Sequence, residues 1–238
     1  MHPKRASDPV VIVGGFASWP RQYLSMRDTI RHLTEQPVTV VPMHLSDWFT
    51  IFGIRAWSRM LDKTADCVER ALSVSATGTV TLVGHSAGGL AARVFIRGDS
   101  FCGRRFSTGA YVSRVITLGT PHHGRDVFPP HKWLAERERN VETNGTDIIS
   151  VAGESVMGGM GLKPSACWAY VAYRFLHGRG SVYGDGLVPT AAALLRGSHQ
   201  VVLRGVSHAR LYGRQWYGTP SVVQQWWNRC ADAGYPDR

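Results

Sequence analysis

Short apolar runs alternate along this chain with longer segments whose apolar residues recur about once per helical turn. Six of the runs are β-prone and are expected as strands: Pro9 to Val13, Val38 to Val41, Thr79 to Val83, Val112 to Leu118, Asp147 to Ala152 and Ser198 to Arg204. Between them, Tyr23 to Thr34 and Leu90 to Arg97 read as helices. Ile54 to Val74 carries the strongest helical pattern, with Ile54, Trp57, Leu61, Val68 and Leu72 on one stripe that should face the core. Further helices are expected over Ala166 to His177 and Ser221 to Cys230, the latter packing Val222, Val223, Trp226 and Trp227 against the sheet or a partner chain. Strands and helices in alternation imply right-handed βαβ units. The expected architecture is α/β, with a mainly parallel sheet of about six strands and helices on both faces. Sites in such sheets form at the carboxyl ends of the strands.

Two stretches break the pattern. His44 to Gly53 holds too many aromatic residues for a solvated loop. Either it lines an apolar groove, making Trp48, Phe49 and Phe52 substrate contacts, or it packs over the sheet edge. Residues 122–165 are too long for an ordinary connection. One reading is a cap or lid. The other is a surface helix over Trp133 to Val141 followed by a sheet strand at Asp147. We favour the strand, with small cap elements on either side.

Composition narrows the classes. A chain of 238 residues with 44% hydrophobic and 18% charged residues fits one folded domain. No apolar run reaches the length of a membrane span. The polar start, Met1 to Asp8, shows no signal peptide, so a cytoplasmic location is expected unless a leader has been removed. The net charge is +10, but the basic residues are scattered and Arg104-Arg105 is the one adjacent pair after Lys4-Arg5. Nucleic-acid binders cluster such charge, so none is expected as a partner. A general positive field can draw anionic substrates or interfaces, but the reading favoured here is a plain basic surface facing solvent. Cys67, Cys102, Cys167 and Cys230 form no C-x-x-C pair, which argues against zinc and leaves any disulfide pairing open.

The chemistry-bearing stretch is Gly84-His85-Ser86-Ala87-Gly88, a G-x-S-x-G pattern between a predicted strand and a predicted helix. A nucleophile raised on so sharp a turn has close neighbours two residues away on each side, and glycine removes the clashing side chains. The Ala87 N–H would then face a developing oxyanion. The plain alternative is a glycine-rich turn with a capping serine. Gly14-Gly15-Phe16 follows the first strand and makes the Phe16 N–H the second expected oxyanion donor. Asp185, on the turn Gly184-Asp185-Gly186, is the expected acid, ahead of Asp126 and Asp147. His208 follows the last strand and gives the order Ser86, Asp185, His208. His85 is read as supporting the elbow. His122 and His123 are read as lining the cleft, because adjacent histidines do not place both rings on one metal.

These motifs resemble those of the α/β-hydrolases, and within them the compact lipase and esterase branch. The resemblance rests on Gly14 to Phe16, Gly84 to Gly89, Leu118-Gly119-Thr120-Pro121-His122-His123-Gly124, Gly184 to Pro189 and Gly205-Val206-Ser207-His208. The wider pattern, with Asp47-Trp48 and Trp216-Tyr217-Gly218, is similar to lipase-like hydrolases of cyanobacteria and plants. The chain departs in carrying Gly14-Gly15 where lipases often have His-Gly, and the usual leading antiparallel hairpin is expected to be missing. The resemblance implies a serine hydrolase acting on small or lipid-like carboxylic esters, without cofactor or metal, and with transient contact to a lipid or polymer interface. The alternatives are acyl transfer or thioester cleavage with the same triad, and a binding protein that keeps the fold without the chemistry.

Overall fold

A computed structural model describes residues 7–48, 53–137 and 145–232. Six strands form one sheet: β1 (Val10–Val13), β2 (Val38–Val40), β3 (Val80–His85), β4 (Val112–Leu118), β5 (Asp147–Glu154) and, last in sequence, β8 (His199–Arg204). Their order is β2-β1-β3-β4-β5-β8, and every neighbouring pair is parallel. The parallel sheet and its strand positions match the sequence expectation, as does the lack of an antiparallel strand in it among the described residues. A small antiparallel pair, β6 (Val156–Met157) with β7 (Tyr183–Gly184), stands apart from the sheet and was not legible in the sequence. Two-residue strands carry too little alternation to be read.

The central strands are buried on both faces because they are apolar at successive positions, whereas β8 at the edge alternates. In β1 all four residues are buried. Val11 and Val13 join a core with Leu82, Val115 and two helices, α2 (Ile54–Leu72) and α3 (Ala87–Ile96). Val10 and Ile12 point the other way, toward α1 (Leu24–Thr34) and α7 (Pro220–Asp232). In α2 the predicted stripe is buried at Trp57, Leu61 and Val68, but Ile54 at its first turn is exposed. A short 3-10 turn, Pro20–Tyr23, precedes α1 and buries Tyr23.

The 122–165 stretch contains α4 (Pro129–Arg137), β5 and β6. The predicted helix over Trp133 to Val141 runs earlier than expected, and its positions after 137 lie outside the described residues. After it come α5 (Pro164–His177) and α6 (Thr190–Ala193), a single turn. All four cysteines are unpaired.

Trp226 is fully buried between α7 and the sheet, and its indole N–H donates to the Tyr217 carbonyl (3.0 Å). Trp226→Ala should lower stability by about 3–5 kcal/mol in urea unfolding, since both the buried ring and that bond go. A loss below about 1 kcal/mol would show that this layer is not packed as described.

Candidate active site

The strand order reverses beside β1: the chain leaves β1 for β2 on one side and reaches β3 on the other. The carboxyl ends of β1 and β3 therefore open onto a common crevice. Val13 is the register partner of Gly84, so the loop after β1 and the turn after β3 emerge side by side.

The turn is the predicted elbow. Ser86 has φ 53° and ψ −123°, a backbone conformation that L side chains rarely adopt, and α3 starts at the next residue. Helix α3 thus begins three residues earlier than the sequence pattern indicated. The surrounding glycines are required by contact. A Cβ on Gly84 would lie 2.5 Å from the Gly89 Cα, and one on Gly88 only 2.1 Å from the Val13 carbonyl oxygen. The Ser86 N–H is fixed to the Leu118 carbonyl (2.9 Å), while its hydroxyl caps nothing in α3. The capping-serine reading is therefore not what this side chain does. Ala87 occupies the first helical position, where an N–H has no acceptor within the helix.

Gly15 presses against the elbow, since a Cβ there would stand 2.8 Å from the Ser86 Cβ. Its N–H donates to the Tyr23 hydroxyl (2.8 Å), which in turn reaches His85 Nδ1 (2.8 Å). His85 Nε2 meets the His208 carbonyl (3.0 Å). A carbonyl only accepts, so His85 carries its proton on Nε2, and Tyr23 donates to Nδ1. The expected support of the elbow by His85 is in fact a tie between the Gly15 loop and the His208 loop.

Asp185 sits at the end of β7, buried to 1% exposure. One carboxylate oxygen accepts the N–H groups of Leu187 (3.0 Å) and Val188 (2.7 Å). The other accepts His208 Nδ1 (2.8 Å) and the Tyr217 hydroxyl (3.1 Å). Tyr217 also accepts the Gly153 N–H (2.6 Å), and Tyr173 accepts the Gly186 N–H (2.9 Å). Burial first, then the Asp185 charge, pushes the Tyr217 hydroxyl well above its ordinary value, so it stays a neutral donor. Gly119, at φ +54°, has no room for a side chain, because a Cβ would meet Asp185 Oδ2 at 2.7 Å. The rival acids are elsewhere. Asp147 opens β5, at the amino ends of the strands and so opposite the crevice, 3.9 Å from Arg114, and Asp126 is exposed.

Ser86 and His208 line the same cleft, about 980 Å³ in volume, together with Phe16, Trp19, Trp168, Leu211 and Tyr212. Ser86 Oγ makes no hydrogen bond with a described residue, and such bonds tighten when substrate arrives. Phe16 also presents its ring to the cleft. Two expected contacts do not. Trp48 is buried behind Phe16, edge-on at 5.7 Å, with its indole N–H on the Ser18 carbonyl (3.0 Å), so it braces the loop instead of touching ligand. His122 lies inside the fold, between Arg93 (3.2 Å) and Thr117 (2.9 Å), because the chain after β4 turns inward. Phe49 and Phe52 lie outside the described residues. The cleft wall expected from 122–165 comes from Trp168 of α5 and from 209–214. Tyr23, Tyr173 and Tyr217 were not identified as site residues from the sequence. Trp216-Tyr217-Gly218 stood out only as part of the resemblance, and nothing marked the other two.

Solved structures match nearly the whole chain. The lipase BlEst2 of Bacillus licheniformis, in its mature form, is 19% identical with a TM-score of 0.64, covering 96% of this chain and 94% of that one. A protein described as a cell surface hydrolase of Lactobacillus plantarum is 12% identical with a TM-score of 0.53, covering 98% and 94%. The fold is that of the α/β-hydrolases. No protein-family model matches the chain, and no curated protein matches it.

Burial drives the His85 ring well below the ordinary imidazole value of 6.5, helped by His208, and does the same to His122, helped by Arg93. Both rings stay neutral in the fold, while the unfolded chain takes up their protons below about pH 6.5. Their contribution to stability is complete above that pH and is lost as pH falls toward the depressed folded values. Urea unfolding should therefore show about 3 kcal/mol less stability near pH 5.5 than near pH 7.5 from this pair. An unchanged unfolding midpoint over that interval would mean that the buried rings accept a proton without penalty.

Proposed function

We propose that the protein is a serine hydrolase that cleaves carboxylic esters through an acyl-enzyme. The observation that carries this reading is the buried Asp185–His208 pair at 2.8 Å, opening onto the cleft that also holds Ser86 on its strained turn.

His208 receives the Ser86 proton on Nε2 as the serine oxygen attacks the ester carbonyl. Asp185 fixes the proton of His208 on Nδ1 and balances the imidazolium as it forms. The oxyanion is met by the N–H groups of Ala87 and Phe16, an effect worth about 3 kcal/mol for a single donor. His208 then protonates the leaving alcohol, and the acyl group remains on Ser86. Water repeats the sequence with His208 as base, releasing the acid and restoring the serine. The aromatic walls formed by Phe16, Trp19, Trp168 and Tyr212 suit an apolar acyl or alcohol arm. The likeness in fold to a named lipase supports the same chemistry.

A fluorophosphonate probe should label the protein rapidly, and Ser86→Ala should remove both labelling and about a millionfold of kcat on 4-nitrophenyl esters. Fast labelling that survives in this variant would take the nucleophile's role from Ser86. Asp185→Asn turns an acceptor into an amide that faces His208 Nδ1, so the imidazole is held in the wrong tautomer. Its kcat should fall by about 10⁴. A change below about tenfold would remove Asp185 from the mechanism.

A further inference from the structure

Helix α5 is apolar on two sides. Its inner side buries Ala169, Ala172, Tyr173 and Leu176. Its outer side exposes Trp168, Val171 and Phe175, spaced as neighbours on one helical row and each more than half exposed. A soluble helix ordinarily carries charge there, and α5 contributes a single Arg174. The apolar surface continues on both flanks. Met160 and Leu162 are exposed in the preceding loop, which is tied to α5 by the Cys167 thiol on the Gly161 carbonyl (2.9 Å). Met157 and Tyr183 are register partners in the small antiparallel pair, and both are exposed. Trp168 stacks with Tyr212, and with the exposed Leu211 it reaches the rim of the cleft. So contiguous a cluster of exposed large apolar groups marks a surface meant to be covered.

Charge identifies the cover. The basic residues are spread along the chain, but the acidic ones are not. Between Ser155 and Ala231 there are eight Lys and Arg and one acid, the buried Asp185. Seven of the ten net positive charges therefore belong to the third of the chain that carries the apolar face. Lys163, Arg174, Arg179, Arg210 and Arg214 are all exposed, and none is ion-paired with a described residue. A second copy would bring this positive field against itself. An anionic lipid surface offers both an apolar layer and the opposite charge.

We infer that the outer face of α5, with Leu162 and Leu211 beside it, docks on anionic lipid surfaces and sets the mouth of the cleft against them. The inference concerns the surroundings of the cleft and stands apart from ester cleavage, so binding is measured on the unaltered protein and on Ser86→Ala alike.

The test is co-sedimentation with phosphatidylcholine vesicles, with and without phosphatidylglycerol, at low and high salt. Each basic side chain at an anionic surface raises affinity about fivefold, so the phosphatidylglycerol vesicles should bind at least about tenfold more tightly, and salt should weaken the difference. The double variant Leu162→Glu, Phe175→Glu changes only exposed positions. With unchanged circular dichroism and melting, it should bind at least about tenfold more weakly. Equal binding by this variant, or no preference for the anionic vesicles, overturns the inference. So does a dimer in sedimentation equilibrium that the same variant dissolves, because the cover would then be a second copy. Docking by Ser86→Ala with no esterase activity in the unaltered protein would uphold the surface and refute the chemistry.

Discussion

Backbone touches backbone where α3 crosses the end of β1, and the rest of the site depends on that contact. Gly88 lies against the Val13 carbonyl, Gly84 against Gly89, and Gly15 against Ser86, at separations that leave no place for a methyl group. Side chains at these points would push the helix off the sheet. Ser86 could then relax from its left-handed conformation, and the hydroxyl and the N–H of Ala87 would no longer be raised together at the mouth of the crevice. The cost of holding a non-glycine residue at φ 53° is about 1–3 kcal/mol and is met by the two cores that clamp the sheet.

Around that point the polar groups form a connected set. Three buried tyrosines, Tyr23, Tyr173 and Tyr217, each accept a backbone N–H, from the Gly15 loop, the Gly186 turn and β5 respectively, and donate to a group on another segment. Burial pushes all three hydroxyls above their ordinary value, which keeps them neutral and able to do both. The loops that bear Gly15, Asp185 and His208 come from distant parts of the sequence. They are held together by these hydroxyls and by bonds between the loops, such as the His208 N–H on the Asp185 carbonyl (2.8 Å).

The central strands were legible because both faces of the sheet are buried there, so β1 and β3 read as apolar runs, while β8 at the edge alternates. The elbow was legible because its glycines are demanded by contact, and the turn that holds Asp185 because two more glycines flank it. Trp48 misled because aromatic content signals burial but not direction: its ring faces the back of Phe16, not the cleft. His122 misled in the same way, since a polar residue after a strand end can turn inward when Arg93 and Thr117 supply partners. The tyrosines were missed because a buried tyrosine that serves as a relay has the same local pattern as one that merely fills space. The outer row of α5 was read as part of an ordinary helix, because periodicity alone cannot tell a core-facing stripe from one left uncovered.

His85 joins the main chain of residue 208 to the Gly15 loop through Tyr23, bridging segments 123 and 62 residues away in sequence. With the bonds between Asp185 and His208, all three loops around the crevice are thereby tied to one another. A bulky molecule cannot enter by prising these loops apart without breaking a buried bond. The other wall is aromatic: Trp168 of α5 stacks on Tyr212, and a side-chain hydrogen bond joins the two. Widening the cleft on that side means parting two stacked rings and giving up the bond between them.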